Sequence, residues 1–211
     1  MASSRVALNP IHRTGRLLHN FLEALKTASI SPRRILLQTG LKNYHCHQGP
    51  AKVPFDERGP RIELGPNFYF TQEDILFEYC KKSPATSYNV SMPSWILGDV
   101  AASDMTTIYP LAIYATVQRK LGRPLALPGD TAAWEKIMPM SSASLNSYFH
   151  EWLVLQESTA GERFNTVDDS EFTWMSAWPV IAGWLDMPWL PPVEEGDGKY
   201  ETVEMPSRPR G

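Results

Sequence analysis

The sequence has only two cysteines, Cys46 and Cys80, and they lack the CxxC spacing of redox and zinc motifs. We therefore expect both to be reduced thiols in a cytosolic protein. The chain also lacks an excess of positive charge, since its formal net charge is −3, and this argues against a nucleic-acid binder. No apolar run reaches the ~20 residues of a membrane-spanning helix, and the N-terminus lacks the apolar core of a secretory signal.

The commonest glycine and serine motifs of enzyme sites are missing as well. Neither GxGxxG nor GxxxxGK occurs, so the phosphate-binding turn that opens a nucleotide-binding fold is not in this sequence. The hydrolase motifs GxSxG and HExxH are also absent. The run His45-Cys46-His47 offers metal-binding side chains, but a zinc site needs three or four ligands and the other histidines have no matching spacing. We expect no metal site.

What the sequence does contain is a strand, a helix and a second strand in succession. An amphipathic helix over residues 15–28 precedes a strand at Arg34 to Gln38, whose consecutive apolar residues suit a parallel strand covered on both faces. Thr71 with Asp74 predicts a helix start, and residues 87–92 predict the next strand. This order predicts a βαβ unit with a right-handed crossover.

The remainder of the chain predicts more helices than strands. Pro110 indicates a kink or a late start in the first helix, and Pro179 indicates an interruption of the last one. Residues 193–211 are charged and nearly free of apolar side chains, so we expect a disordered tail. The predicted helices cover 103–121, 142–156 and 173–186, and the predicted short strands lie within 125–130 and 162–169.

Five segments resemble, in order and spacing, the progesterone 5β-reductase/iridoid synthase-like (PRISE) family of atypical extended short-chain dehydrogenases. They are QTGLKNY, PNFYFTQEDILFEY, NVSMPSWILG, YPLAIYATVQRKLGRPLALPG and FNTVDDSEFTWMSAWPVIAGW. The resemblance runs from about Asn20 to Pro192, and KNYH, MPSWI and PGDTAAWEK are similar to a fungal branch found in secondary metabolism. It implies a Rossmann fold, NADPH as cofactor and reduction of a small enone or related carbonyl compound.

The resemblance also implies which residues do the chemistry. Lys42 matches the family's catalytic lysine, while the position of the catalytic tyrosine holds Phe70. Phenylalanine has no hydroxyl, and losing a general acid typically costs about 10²- to 10⁴-fold in rate. Tyr69 is adjacent, but one residue along a helix turns the side chain by roughly 100°. The alternative for Lys42 is an ordinary solvated surface lysine.

Further residues follow by resemblance for the cofactor and the substrate. Those expected to line the nicotinamide end of the cofactor are Gln38, Thr39, Gly40, Pro93, Ser94, Trp95 and Ile96. Those expected in the substrate pocket are Thr106, Tyr109 and Trp152, and the alternative for such aromatic side chains is that they belong to the hydrophobic core.

The predicted fold class is therefore α/β: residues 1–192 form the C-terminal portion of a Rossmann-type parallel sheet with helices that bind substrate, without the N-terminal strands. The edge at Ile35, Leu36 and Leu37 would then lie open, and each such residue left exposed forfeits about 1.5 to 3 kcal/mol of burial. One alternative is a non-catalytic remnant that binds a full-length homologue, or another copy of itself, through this edge. Another is that the sequence comes from an incomplete gene prediction.

Overall fold

The computed structural model describes residues 10–48, 51–62, 64–99 and 107–192. The chain divides into two compact units. Unit 1 comprises Met1–Gly98 and Met140–Asp168, and unit 2 comprises Asp99–Pro139 and Asp169–Gly211. Within the described residues, no helix has both the length and the apolar character needed to cross a bilayer.

Six α-helices and seven strands lie in the described residues, with short 3₁₀ turns at Leu41–Tyr44 and Glu157–Thr159. The helices are α1 (Pro10–Thr27), α2 (Phe68–Lys82), α3 (Ile108–Lys120), α4 (Thr131–Glu135), α5 (Ala143–Leu155) and α6 (Trp174–Trp184). The strands are β1 (Arg34–Gln38), β2 (Ser87–Pro93), β3 (Trp95–Leu97), β4 (Leu125–Ala126), β5 (Met140–Ser142), β6 (Arg163–Thr166) and β7 (Trp189–Leu190).

Unit 1 is built on a parallel sheet in the order β1-β2-β6. Its register places Gln38 opposite Ser91, and Ser91 opposite Phe164. Helices α1 and α2 cover one face through a cluster that includes Leu22 and Leu76. Helix α5 packs on β1 and β2, and its His150 hydrogen-bonds Ser91 of β2. Because successive side chains of a strand lie on opposite faces, Ser91 is on the face opposite to that of its neighbours, which lie under α2. The sheet is therefore covered on both faces, as the continuous apolar run of β1 predicts.

A second parallel pair in unit 1 joins β3 to β5, with Trp95 opposite Met140. Next to it, a Cβ built on Gly98 would lie only 2.6 Å from the Cβ of Ala143. That separation is too short for two carbon atoms, so the backbone after β3 approaches the start of α5 closely because residue 98 is glycine.

Unit 2 has its own apolar core, which includes Leu125, Trp134 and Trp178. The parallel pair β4 and β7 lies beside it, and the Trp178 indole donates a hydrogen bond of 2.9 Å to the carbonyl of Leu125. This bond satisfies the one polar group of a side chain that is otherwise fully buried.

The structure confirms the α/β class with parallel strands, and β1 occupies the predicted residues. The side chains of Ile35, Leu36 and Leu37, however, are half-buried rather than left exposed. Ile35 and Leu37 pack in the cluster formed by α1 and α2, because strand side chains stand perpendicular to the sheet. Among the described residues β1 pairs with β2 alone, so what its edge leaves open is backbone.

Helices α2 and α6 differ from expectation, and α3 follows one of its two expected alternatives. Helix α2 begins at Phe68 rather than near Thr71, because the Asn67 side chain caps it. Helix α3 shows the late start rather than the kink: it begins at Ile108, which places Pro110 in its first turn, where a missing N–H costs nothing. Helix α6 is not interrupted by Pro179, since buried residues on either side of that proline hold it against the unit 2 core. The expected tail, 193–211, lies outside the described residues.

Candidate functional site

The carboxyl ends of the three parallel strands meet at one edge of the unit 1 sheet. Thr39, directly after β1, donates both its backbone N–H (2.8 Å) and its hydroxyl (3.2 Å) to the carbonyl of Ser91. Ser94, directly after β2, donates its N–H to the carbonyl of Thr166 at 3.3 Å. This edge is where open α/β sheets bind ligands.

Lys42 lies on the short 3₁₀ turn that follows β1, and its side chain is exposed. Its backbone carbonyl accepts hydrogen bonds from the Asn67 amide at 2.7 Å and from the His45 N–H at 3.1 Å. Burial, followed by the positive charge of Lys42, lowers the pKa of His47. The turn therefore holds the lysine backbone by two hydrogen bonds, while the side chain extends into solvent.

The Tyr69 hydroxyl lies against Gly40 at the same strand ends. A Cβ built on Gly40 would lie 3.3 Å from the Tyr69 hydroxyl oxygen and 3.4 Å from the carbonyl oxygen of Pro93. The phenol is half-buried, and this burial raises the pKa of Tyr69, so the hydroxyl keeps its proton at neutral pH. A glycine at position 40 leaves the space in which a neutral O–H donor faces the strand ends.

Phe70 turns its ring elsewhere. The guanidinium carbon of Arg61 lies 4.8 Å from the centre of the Phe70 ring, and the His45 ring centre lies 5.5 Å from it. The one-residue rotation expected between positions 69 and 70 is present, and it directs the tyrosine, rather than the phenylalanine, to Gly40. In this geometry Tyr69 is the residue that places a hydroxyl at the strand ends.

Buried polar side chains connect the turn after β1 to helix α2. The Asn43 amide donates to the Thr39 hydroxyl (3.1 Å) and to the Glu73 carboxylate (2.7 Å). Glu73 is fully buried and is paired with Arg61 at 3.0 Å and with Arg163 at 3.7 Å. Sequence reasoning missed Asn43, Asn67 and Glu73 as site residues. The sequence feature that could have identified them is a polar residue beside apolar ones: Asn43 follows the apolar β1, Asn67 precedes α2 and Glu73 lies within α2.

The other predicted cofactor residues are only partly brought together. Gln38 and Pro93 end β1 and β2, and Ser94 is buried at the same edge. Trp95 is exposed, and Ile96 pairs across to Ser141 within the β3–β5 pair. Trp95 and Ile96 therefore belong to the separate β3–β5 pair, which begins directly after Ser94.

The predicted pocket residues do not join this cluster. Trp152 stacks on Phe149 and packs edge-on against Phe164, at a cavity of about 270 Å³. Glu57, Arg58, Ser158, Thr159, Glu162 and Arg163 also line that cavity. Tyr109 belongs to unit 2, where it is exposed, and Thr106 lies outside the described residues.

His45 of the HCHQ run is buried rather than available as a ligand. Its Nδ1 lies 3.2 Å from the Gln48 side-chain oxygen, and its Nε2 lies 3.5 Å from the Asn67 amide nitrogen. Across the part of the chain that the structure describes, no group of three His, Cys, Asp or Glu residues is arranged to hold a metal ion.

Comparison with known proteins gives consistent matches. The profile of the PRISE-like Rossmann-fold domain matches residues 14–207. A 3-oxo-Delta(4,5)-steroid 5-beta-reductase of Arabidopsis thaliana is 35% identical over 173 residues, which is 80% of this chain and 44% of the relative. The short chain dehydrogenase gsfE of Penicillium aethiopicum is 34% identical over 172 residues, 80% of this chain and 45% of the relative.

Solved structures share the fold at lower identity. The RMD protein of Pseudomonas aeruginosa, complexed with NADPH, aligns with a TM-score of 0.67 and 17% identity, over 88% of this chain and 64% of that one. In the two sequence relatives the match covers 44% and 45% of their length, so the chain spans less than half of these curated relatives.

Proposed function

Because the chain belongs to the PRISE-like Rossmann-fold family, we propose that it carries the proton-donating half of an NADPH-dependent reductase that acts on an activated carbon–carbon double bond. The observation that supports this most is the Tyr69 hydroxyl against Gly40, two residues before Lys42 and at the strand ends. The relatives with reductase and dehydrogenase names each match 80% of this chain, and the family model covers residues 14–207, which include this site. The resemblance of KNYH, MPSWI and PGDTAAWEK to a fungal branch favours a substrate from secondary metabolism.

The residues at the strand ends fit the nicotinamide end of such a cofactor. Gly40 carries no side chain, and Thr39 and Ser94 are fixed by backbone hydrogen bonds across the strand ends. The cofactor supplies a hydride when bound. The sequence has no glycine-rich turn for the pyrophosphate, so this chain offers contacts to only one end of a dinucleotide.

Tyr69 and Lys42 divide the work on the substrate side. The protonated Tyr69 phenol donates a hydrogen bond, and then its proton, to the oxygen of an enone as negative charge develops there. The Lys42 ammonium stabilises that charge and helps to lower the cost of ionising the phenol. Burial raises the pKa of Tyr69, so the donor form is present at neutral pH and the general acid is lost only on strongly alkaline titration.

Replacement of Tyr69 by phenylalanine tests the proposal. With NADPH and a 3-oxo-Δ4 steroid as probe, we expect Tyr69→Phe to lower turnover by about 10²- to 10⁴-fold, because only the hydroxyl is removed. Phe70→Tyr is the matched control, and we expect no gain in rate, because position 70 faces Arg61. Equal turnover of Tyr69→Phe and the unaltered chain, or a gain from Phe70→Tyr, would contradict the assignment of the acid.

A second function, as a binding partner, is favoured by the edge of β1. This edge pairs with no other strand in the described residues, and α1 exposes Leu17 and Phe21, which are 74% and 53% accessible. We propose that a nucleotide-binding half of the same fold adds a parallel strand here, which joins its glycine-rich turn to the Tyr69 site.

Binding to the portion of the Arabidopsis relative that this chain does not match tests this second function. We expect a stable complex by size-exclusion chromatography and its loss in a Leu17→Glu, Phe21→Glu double variant. Tyr148→Glu is the control, since Tyr148 is 73% exposed on α5, which packs on the sheet face opposite α1. A complex that is indifferent to the double variant, or no complex at all, would rule out docking at this surface.

A further inference from the structure

The side chain of Asn67 is used at both of its polar ends. Its amide nitrogen donates a hydrogen bond of 2.7 Å to the backbone carbonyl of Lys42. Its oxygen accepts a bond of 3.0 Å from the backbone N–H of Tyr69. Asn67 is 8% exposed, so water competes little for either bond. One carboxamide therefore joins the backbones of the two residues that the proposed reaction uses.

The bond to Tyr69 alone would be ordinary. Asparagine is among the preferred N-cap residues, and its oxygen satisfies an N–H that the first turn of a helix leaves unpaired. The bond to Lys42 has no such role in α2. It crosses 25 positions of sequence and ends on a 3₁₀ turn that supplies a different side chain to the site.

The surrounding contacts show why this bond sets a position. Asn43, the next residue of the turn, is held separately by Glu73, which lies two helical turns along α2. The turn is thus fastened to α2 at two points. The Asn67 bond is the one that ties the Lys42 backbone to the start of α2. Without it the turn stays anchored to α2 at Asn43, and the Lys42 carbonyl keeps only the bond from the His45 N–H within the turn.

We propose that Asn67 is a positioning residue that fixes the backbone of Lys42 relative to that of Tyr69, so that ammonium and phenol act on the same substrate oxygen. This inference rests on the proposed function. Misplacement of a reacting group by about 1 Å can cost about 10²-fold in rate, even when the change is made away from the chemistry.

Asn67→Ser separates the cap from the tether. Serine caps helices about as well as asparagine, but its hydroxyl is too short to reach both Tyr69 and the Lys42 carbonyl. We expect kcat to fall at least tenfold with KM for the steroid probe within twofold and the melting temperature nearly unchanged. Asn67→Asp keeps the capping oxygen but sets a second acceptor against the Lys42 carbonyl, so we expect the same fall in kcat together with a lower melting temperature. Asp130→Ser, an equivalent N-cap exchange at α4, should leave both constants unchanged.

Amide hydrogen exchange provides a readout that needs no turnover. In Asn67→Ser we expect faster exchange at residues 41–45 and unchanged protection of the Tyr69 amide, because the cap persists. Unchanged kcat in both Asn67 variants of an active chain would overturn the inference and leave the proposed function standing. Absence of activity in the unaltered chain would contradict the proposed function. In that case, exchange at residues 41–45 that is the same in Asn67→Ser as in the unaltered chain would overturn the inference about Asn67 as well.

Discussion

At the scale of single residues, the ring of Phe70 holds the Arg61 side chain over α2. The guanidinium lies over the ring face, and Arg61 also bonds Asp74 (2.6 Å) and Glu73 (3.0 Å). The family pattern puts the catalytic tyrosine at position 70, where this chain has phenylalanine, and local sequence does not show which of the two adjacent rings faces Gly40. The direction of each ring is decided by its tertiary partners, here Gly40 for Tyr69 and Arg61 for Phe70.

Phe70→Leu should therefore weaken the fold. Leucine fills similar space but removes the ring face beneath Arg61, and a cation–π contact at a partly exposed site contributes about 0.5 to 1 kcal/mol. We expect the free energy of unfolding in urea to fall by about 1 kcal/mol, including the lost ring contact with His45. Phe70→Tyr keeps the ring face and should unfold within error of the unaltered chain. Equal loss in both variants would contradict a role for the ring face.

His150 gives unit 1 a dependence on pH. Its Nε2 lies 2.8 Å from the Ser91 hydroxyl, which in turn lies 2.9 Å from the hydroxyl of Thr166, and burial lowers the pKa of His150. The folded state therefore favours the neutral ring, whereas the unfolded chain takes up a proton near the usual pKa of about 6.5. Stability from this group is present above that pH and is lost as the pH falls through it.

His150→Gln should flatten the pH dependence of stability. Glutamine keeps a neutral hydrogen-bonding group on α5 but cannot titrate. Between pH 7.5 and 5.5 we expect the melting temperature of the unaltered chain to fall further than that of the variant. His19→Gln, on the exposed side of α1, is the control. Parallel curves for the unaltered chain and His150→Gln would show that the buried imidazole does not contribute.

At the scale of elements, the strands and helices with strong local patterns were predictable. The run Ile35 to Leu37 has one explanation in a small α/β domain, and β1 occupies the predicted residues. The predicted start of α2 was one turn too late. Thr71 followed by Asp74 is a pattern typical of a helix start, but the residue that caps the helix is Asn67, four positions earlier. Pairing of β3 with β5 was not predictable, because it joins short segments more than 40 residues apart that have no pattern of their own.

Gly98→Ala tests the close approach of β3 to α5. The added Cβ would lie 2.6 Å from that of Ala143, and overpacking of this kind costs about 1 to 3 kcal/mol. We expect a corresponding loss of unfolding free energy in urea. Adding Ala143→Gly to the same chain should restore part of it, because the second change removes the clashing methyl group. A double variant no more stable than Gly98→Ala would indicate that the cost arises elsewhere.

At the scale of the whole molecule, the distribution of site residues sets what the chain can bind. The strand ends of unit 1 supply Gly40, Tyr69 and Lys42, but the 211-residue sequence has no glycine-rich turn. In the proposed function this division follows the resemblance, since the segments that match the family are present in order whereas no glycine-rich motif occurs in the sequence. Sequence did not predict that the chain forms two compact units, since their boundaries at residues 98–99, 139–140 and 168–169 join segments distant in sequence.

The isolated chain should therefore not distinguish NADPH from its nicotinamide half. We expect reduced nicotinamide mononucleotide and NADPH to bind with dissociation constants within about threefold, since each tenfold difference would need about 1.4 kcal/mol from contacts to the adenine half. Quenching of cofactor fluorescence on titration measures both constants. If the portion of the Arabidopsis relative that this chain does not match carries a glycine-rich turn, its addition should lower the dissociation constant of NADPH and leave that of the mononucleotide unchanged, because such a turn would contact the pyrophosphate. Tight binding of NADPH by the isolated chain, with weak binding of the mononucleotide, would mean that these residues hold the pyrophosphate by another route.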